Sequence, residues 1–352
     1  VLASLGVIAD ATGPPSPGIA CILHTSGSTG MPKAVPMRWE GIDAFTSWMM
    51  KITRLGPRDR VLRVAELSFD LAWFDHLAAF RSGSTLLTMS RRQLSTARSI
   101  ADQVRVLAPT VVYSVPSFFM KLCAGWPKHE ALPHELHTIC FAGEIFPPSE
   151  LLALARRAPN ARLFNLFGPT ETNVCTFHEV DRSSLDGQRE TPIGTPAPYA
   201  DCRLVDPSDP KILIEGVGTG ELLVRGPTAL GGECRTRDRV RRAEDGLFYF
   251  RGRLDRMVKI RGYRVDPSEV ETALCTHPHV RQAAVIANEH PRFGMQLSAF
   301  VAADIEAEPQ SIRAHLSEHL PSYMAPQRLV LRMELPLTEN GKVDYDALHP
   351  SG

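Results

Sequence analysis

Between Arg60 and Phe167 short apolar runs alternate with stretches of helical spacing, and this rhythm limits the fold more than any other feature of the chain. Arg60–Val64, Thr85–Met89, Thr110–Pro116 and Ala161–Phe167 have strand length and strand composition. Phe69–Phe80, Ala97–Leu107 and Ser149–Arg157 have helical periodicity, the last with Ser149 as an expected cap after Pro147-Pro148. Strands joined through helices pair in parallel, and a parallel sheet must be covered on both faces. The expected fold is therefore α/β, a large N-terminal domain of mainly parallel sheet flanked by helices. A helix over Trp39–Ile52 and a buried strand over Gly18–Leu23 precede the alternation.

From about Pro192 the texture changes to short strands, Cys202–Val205, Gly220–Val224 and Leu247–Phe250, separated by Gly, Pro and Asp turns. After Arg253 it changes again, to a helix over Pro267–Thr276, strands at Ala283–Ala287 and Leu297–Ala302, a helix over Ser311–Leu320 and a strand at Arg328–Arg332. The expected division is an α/β core over residues 1–191, a β-rich subdomain over 192–254 and a small, mobile α+β domain over 255–352.

Lys+Arg and Asp+Glu balance at 39 each in 352 residues, so no global field favours nucleic acid or a membrane surface. Seven cysteines, odd in number and never spaced Cys-x-x-Cys, argue against a disulfide framework or zinc ribbon and suit a reducing cytoplasm. No apolar run reaches transmembrane length. Val1–Asp10 has neither an initiator Met nor a basic leader, which reads as the start of a fragment truncated at its N-terminus.

Two short patterns mislead. His315-Leu316-Ser317-Glu318-His319 has metalloprotease spacing, yet Ile312, Leu316 and Leu320 make it an ordinary amphipathic helix. Gly216-Val217-Gly218-Thr219-Gly220 precedes a strand rather than a helix and reads as a turn.

His24-Thr25-Ser26-Gly27-Ser28-Thr29-Gly30-Met31-Pro32-Lys33 packs hydroxyls, glycines and a lysine directly after a buried strand. Free N–H groups and hydroxyls on such a loop can point at phosphate oxygens; taken alone, a flexible surface loop is the alternative. It is not the P-loop of NTPases, since no hydroxyl follows Lys33. Phe164–Thr172 ends a strand in Gly168-Pro169 and then offers Thr170 and Glu171, where ligands of α/β sheets sit. A carboxylate there suits Mg²⁺ shared with nucleotide oxygens. Cys234-Arg235-Thr236-Arg237-Asp238 supplies a carboxylate suited to a vicinal diol, and Gly252–Arg264 follows at the composition boundary. Its basic residues also fit a solvated face. Leu335–Asp344 holds Asn340-Gly341, a tight-turn signal that presents Lys342. Leu67–Phe74 opens an apolar helix with Asp70, an N-cap unless it faces a ligand.

In this order these six stretches resemble the core motifs of adenylate-forming enzymes, and most closely those of amino-acid adenylation domains of non-ribosomal peptide synthetases. The resemblance runs from Ile19 to Leu348. It implies ATP and Mg²⁺ as cofactors, with Lys342, Thr170 and Glu171 catalytic and Glu171 holding the metal. It implies ATP binding by Thr25, Ser26, Gly27, Ser28, Thr29, Gly30, Lys33, Gly143, Glu144, Asn165, Phe167, Gly168, Asp238, Phe250 and Arg253. Asp255 would be the hinge. Asp70 would bind the α-ammonium of an amino acid, a residue that aryl- and fatty-acyl ligases generally lack. Leu71, Phe74, Tyr113, Cys140, Ala142, Leu166, Val174 and Cys175 would line the rest of the pocket, whose neutral character implies a small or medium neutral substrate. The implied activity is formation of aminoacyl-AMP and transfer to the phosphopantetheine of a carrier protein, with a small activating protein as a further partner class. An acyl- or aryl-CoA ligase, or a degenerate non-catalytic adenylation scaffold, are the alternatives. The chain departs from the pattern at Cys234 (Tyr in the family), at Arg237 (Gly in the family) and in a shortened segment from Arg225 to Arg235.

Overall fold

The structure is a computed structural model and describes residues 18–25, 33–254, 256–290, 294–304, 307–336 and 343–348. β1 (Ile19–Thr25) and β2 (Lys33–Arg38) form an antiparallel pair, followed by α1 (Trp39–Thr53). Then come β3 (Arg60–Arg63), α2 (Leu71–Ser82), β4 (Thr85–Thr88), α3 (Ala97–Leu107), β5 (Val111–Ser114) and α4 (Pro116–Gly125). β6 (Thr138–Ala142), α5 (Pro148–Arg157), β7 (Arg162–Phe167), β8 (Thr176–Glu179) and β9 (Thr195–Pro196) complete the core.

β3 to β9 make one seven-stranded sheet in the order β4-β3-β5-β6-β7-β8-β9. The first five strands are parallel and the last two antiparallel, as the alternation predicts for all but that edge. β5 and β6 are buried throughout, and helices cover both faces. Local signals misplaced two boundaries. Pro116 reads as a strand end because it cannot donate to a ladder, but it occupies the first turn of α4, where a missing N–H costs nothing. Ser149 is not the cap of α5: the helix starts at Pro148 and its cap, Pro147, makes no side-chain bond.

β10 (Asp201–Val205), β11 (Leu213–Ile214), β12 (Gly218–Arg225), β13 (Glu233–Arg242) and β14 (Phe248–Arg253) form an antiparallel sheet ordered β11-β10-β12-β13-β14. Leu204, Leu222, Val224, Val240 and Phe248 from its inner face pack with Cys175 and Ile193 of the core. The glycine pattern read as a turn begins with one at Gly216, but Gly218 already belongs to β12. Beyond it, β15 (Val258–Ile260) and β16 (Tyr263–Val265) form a hairpin, then α6 (Pro267–Cys275), β17 (Val280–His290), β18 (Gly294–Ala303), α7 (Pro309–His319) and β19 (Arg328–Arg332). These last elements have a core of their own around Val265, Leu274, Val285, Leu297 and Ile312.

Candidate active site

Phe167 ends β7, and Gly168-Pro169 turn the chain at the carboxyl edge of the parallel strands. A Cβ on Gly168 would stand 1.6 Å from the Asn173 carbonyl oxygen, so the turn closes only with glycine. Thr172 locks it by donating its N–H to the Pro169 carbonyl at 2.9 Å. Glu171, 5% exposed, lies 3.7 Å from the Nζ of Lys33, the first residue of β2. The Leu230 N–H donates to the Glu171 carbonyl at 2.7 Å, so the shortened segment before β13 braces this residue from outside.

Asp238 on β13 is 3% exposed, and its Oδ1 accepts a hydrogen bond of 2.8 Å from Nη1 of Arg253 on the neighbouring strand. Burial raises the Asp238 pKa, against the opposing charges of Arg253 and Lys259. The rings of Phe167 and Phe250 stand 5.7 Å apart beside this pair. The Asn165 side chain donates to the Pro192 carbonyl at 2.7 Å, and Glu144 accepts the Ser117 N–H at 2.9 Å. Gly143, Glu144, Asn165, Phe167, Asp238 and Arg253 share one cavity of about 1140 Å³ between the α/β core and the C-terminal elements.

Asp70 immediately precedes α2, yet its side chain makes no capping bond, so helix capping does not account for it. Burial raises its pKa; the positive charge of Lys259 and the polar groups of Leu71 and Thr170 nearby oppose the rise. Thus Asp70 and Thr170, a hundred residues apart in sequence, meet beside Glu171. Tyr113 and Cys140 are neighbours across the sheet, at 1% and 0% exposure, and the Phe74 ring lies 5.9 Å from that of Tyr113. Phe74, Tyr113, Cys140, Ala142, Leu166 and Val174 belong to one buried cluster, Leu71 packs against its edge, and Cys175 adjoins it in the next. Ser26, Gly27, Ser28, Thr29, Gly30, Asp255 and Lys342 lie outside the described residues, as does the side chain of Thr25.

Residues 8–232 match the AMP-binding enzyme family, and residues 269–342 match the AMP-binding enzyme C-terminal domain. The chain belongs to the AMP-binding enzyme family. It is similar to an L-proline--[L-prolyl-carrier protein] ligase of Streptomyces coelicolor, at 36% identity over 95% of this chain and 66% of that protein. It is also similar to bacitracin synthase 3 of Bacillus licheniformis, at 32% identity over 94% of this chain and 6% of the synthase. The chain thus spans just under two thirds of the first relative and a small part of the second. Among solved structures, the amide bond synthetase McbA from Marinactinospora thermotolerans aligns with a TM-score of 0.82 and 25% identity, covering 94% of this chain and 69% of that one.

This AMP-binding enzyme has two site features that sequence reasoning missed. Lys259, part of the Gly252–Arg264 stretch but given no role from sequence, points into the cleft: its Nζ lies 5.7 Å from the centroid of the Phe167 ring, and its charge opposes the raised pKa of Asp70, Glu144 and Asp238. The available signal was its place between the apolar Val258 and Ile260 in a short strand, which only pairing with Tyr263–Val265 turns into a direction. Asp75 is 0% exposed, and neither carboxylate oxygen has a hydrogen-bond partner among the described residues. It backs onto the pocket wall, and burial pushes its pKa well up against the pull of Arg63. Nothing in the sequence marked it. Among the described residues no three His, Cys, Asp or Glu side chains converge as a metal site, His315 and His319 included. No helix among them is long and apolar enough to cross a membrane.

Proposed function

We propose that this enzyme uses ATP to activate the carboxylate of a compact, neutral amino acid, releases pyrophosphate, and passes the aminoacyl group to the phosphopantetheine thiol of a carrier protein. The observation that carries the reading is Asp70: a carboxyl without a side-chain capping bond whose charge is felt together with those of Lys259 and Glu171, Lys259 itself lining the cavity that holds the Asp238–Arg253 pair. A group binding an α-ammonium is needed there only if the substrate carries one.

Asp238 and Arg253 would hold the ribose, with Gly143, Glu144, Asn165, Phe167 and Phe250 around the base. The loop from Thr25 to Lys33 would hold the β- and γ-phosphates. Charge spreads over the phosphoryl oxygens in such reactions, so catalysis is mostly positioning and electrostatics. Lys342 would neutralise charge between the substrate carboxylate and the α-phosphate. A single carboxylate, completed by phosphate oxygens and water, is a usual Mg²⁺ arrangement, and Glu171 fits it. Bound there, the metal would supply charge on the phosphates, and the Glu171–Lys33 pair would give way to it. The domain reading is the one above: residues 255–352 as a small domain turning about Asp255 between the two steps. Free cysteines at all seven positions suit a cytoplasmic setting, where the carrier and any small activating protein would be met.

The closed, neutral wall around Tyr113 and Cys140 leaves no partner for a charged side chain, at a cost of several kcal/mol. L-Proline, named for the Streptomyces coelicolor relative, heads the substrates to try. In ATP–pyrophosphate exchange over the common amino acids, a small neutral one is expected to be fastest. Fastest exchange with Lys, Arg, Asp or Glu would overturn the pocket assignment. Activity confined to acids without an α-amine would favour the acyl- or aryl-CoA ligase, and nucleotide binding with no exchange the non-catalytic scaffold.

A further inference from the structure

Three aromatic rings join the C-terminal elements to the residue beside Asp70. Tyr263 on β16 lies edge-on to Phe69, with ring centroids 4.5 Å apart and planes at 85°. Its other side stacks on Tyr323 at 3.8 Å and 13°. Tyr323 belongs to the 3-10 turn Ser322–Met324, and both tyrosines rest against the core of the C-terminal elements. Phe69 packs in none of the hydrophobic clusters among the described residues, so the edge contact ties it to the other side of the cleft rather than to its own core.

The hairpin that carries Tyr263 is seated closely. A Cβ on Gly262 would stand 2.6 Å from Cγ1 of Val115, and the position of a Cβ on Gly143 is 3.9 Å from the Gly262 Cα. Gly262 is one of the groups that hold down the raised pKa of Glu144, and Lys259 of the same hairpin stands 5.7 Å from the centroid of the Phe167 ring. The contact of Tyr263 with Phe69 therefore coincides with the hairpin lining the cleft.

We propose that Tyr263 is a positioning residue that latches the small domain in the arrangement used for thiol transfer. The proposal rests on the two-step reading above. If the small domain turns between the steps, the hairpin leaves the cleft during adenylation, and the Phe69–Tyr263 contact exists only in the arrangement described here. A contact present in one of two states shifts the population between them by its own free energy. The contact is made by ring edges and faces, so phenylalanine at 263 preserves it and alanine removes it.

The test compares the wild type, Tyr263→Phe, Tyr263→Ala and Tyr323→Ala in the full chain. ATP–pyrophosphate exchange reports the first step. Single-turnover transfer of preformed aminoacyl adenylate to pantetheine, used as the thiol probe, reports the second. Amide hydrogen exchange over residues 66–72 and 258–265 reports the latch without any activity. Y263A is expected to slow transfer about tenfold, leave pyrophosphate exchange within about twofold, and speed amide exchange in both segments. Y323A is expected to act in the same direction, and Y263F to match the wild type throughout. Equal loss in both steps, failure of Y263F to match the wild type, or unchanged amide protection in Y263A would overturn the latch. A wild type without pyrophosphate exchange would instead remove the two-step reading, and the amide measurement would then decide alone whether Tyr263 holds the domain.

Discussion

Arg237 shows how a single residue is bent to the needs of the site. Its φ is 61°, a left-handed conformation that an L side chain enters at a cost of about 1–2 kcal/mol. The conformation is held from both sides: the Arg237 N–H donates to Oε1 of Glu221 at 3.0 Å, and its carbonyl accepts the Leu254 N–H at 2.8 Å. Glu221 is itself wholly buried and bonded to Arg235, so it cannot move to relieve the strain. Asp238 follows directly, and the bulge that turns its carboxyl inward sits at this point. Arg237 thus holds a left-handed conformation that glycine adopts without steric cost, and the chain bears it as strain. Arg237→Gly removes the strain but loosens the unfolded chain, for a net gain of about 0.5–1 kcal/mol. The urea midpoint should rise; a lower midpoint would contradict the strain.

Packing between α6 and α7 turned an apparent metal motif into a structural one. His315 Nε2 pairs with the Thr276 hydroxyl at 2.8 Å, and His319 Nδ1 pairs with the His315 carbonyl at 2.8 Å. His277, 5% exposed, accepts the His279 N–H on Nδ1 at 3.2 Å and pairs through Nε2 with Ser311 at 3.0 Å. The rings of His279 and His315 lie 5.8 and 5.2 Å from that of His277, and Asp304 stands 4.0 Å from His279. Burial, and then the charges of His315 and His279, lower the His277 pKa. A lowered histidine pKa means that the unfolded chain takes up the proton first. The stability this group contributes is complete above about pH 6.5 and is lost as the pH falls through the lowered folded value. Acidification from pH 7 to 5 is expected to lower the thermal transition of the C-terminal elements, and His277→Gln to flatten that dependence. An unchanged slope in the variant would exclude His277 as the source.

At the scale of the whole molecule, the cleft between the core and the C-terminal elements matters more than either wall. Lys259 in the described arrangement and Lys342 in the proposed adenylation step would be two cations serving one cleft at different times. Lys342→Ala is therefore expected to lower ATP–pyrophosphate exchange by about 10²–10³-fold while leaving nucleotide binding, followed by titration with a fluorescent ATP analogue, unchanged. Exchange at the wild-type rate would remove Lys342 from the chemistry.

Much of this was legible in the chain itself. The alternation from Arg60 to Phe167 determined a mainly parallel sheet, because strands covered on both faces leave short continuous apolar runs while their connecting helices leave a helical period. The order of the six motif stretches determined the family, and the turn at Gly168-Pro169 marked the sheet edge where Thr170 and Glu171 stand. Tertiary structure alone decided what each charge faces. Asp70 is a cap by its local sequence, yet makes no capping bond and sits in the field of Lys259 and Glu171; Lys259 fits a solvated face by composition and lines the cleft by its hairpin. Asp75 became a buried, unpaired acid only when α2 closed over Arg63 and Tyr113. Local sequence encodes period, turn and cap, which act over a few residues. Burial and the field at a charged group are sums over neighbours brought from everywhere in the chain, and those exist only once the chain has closed on itself.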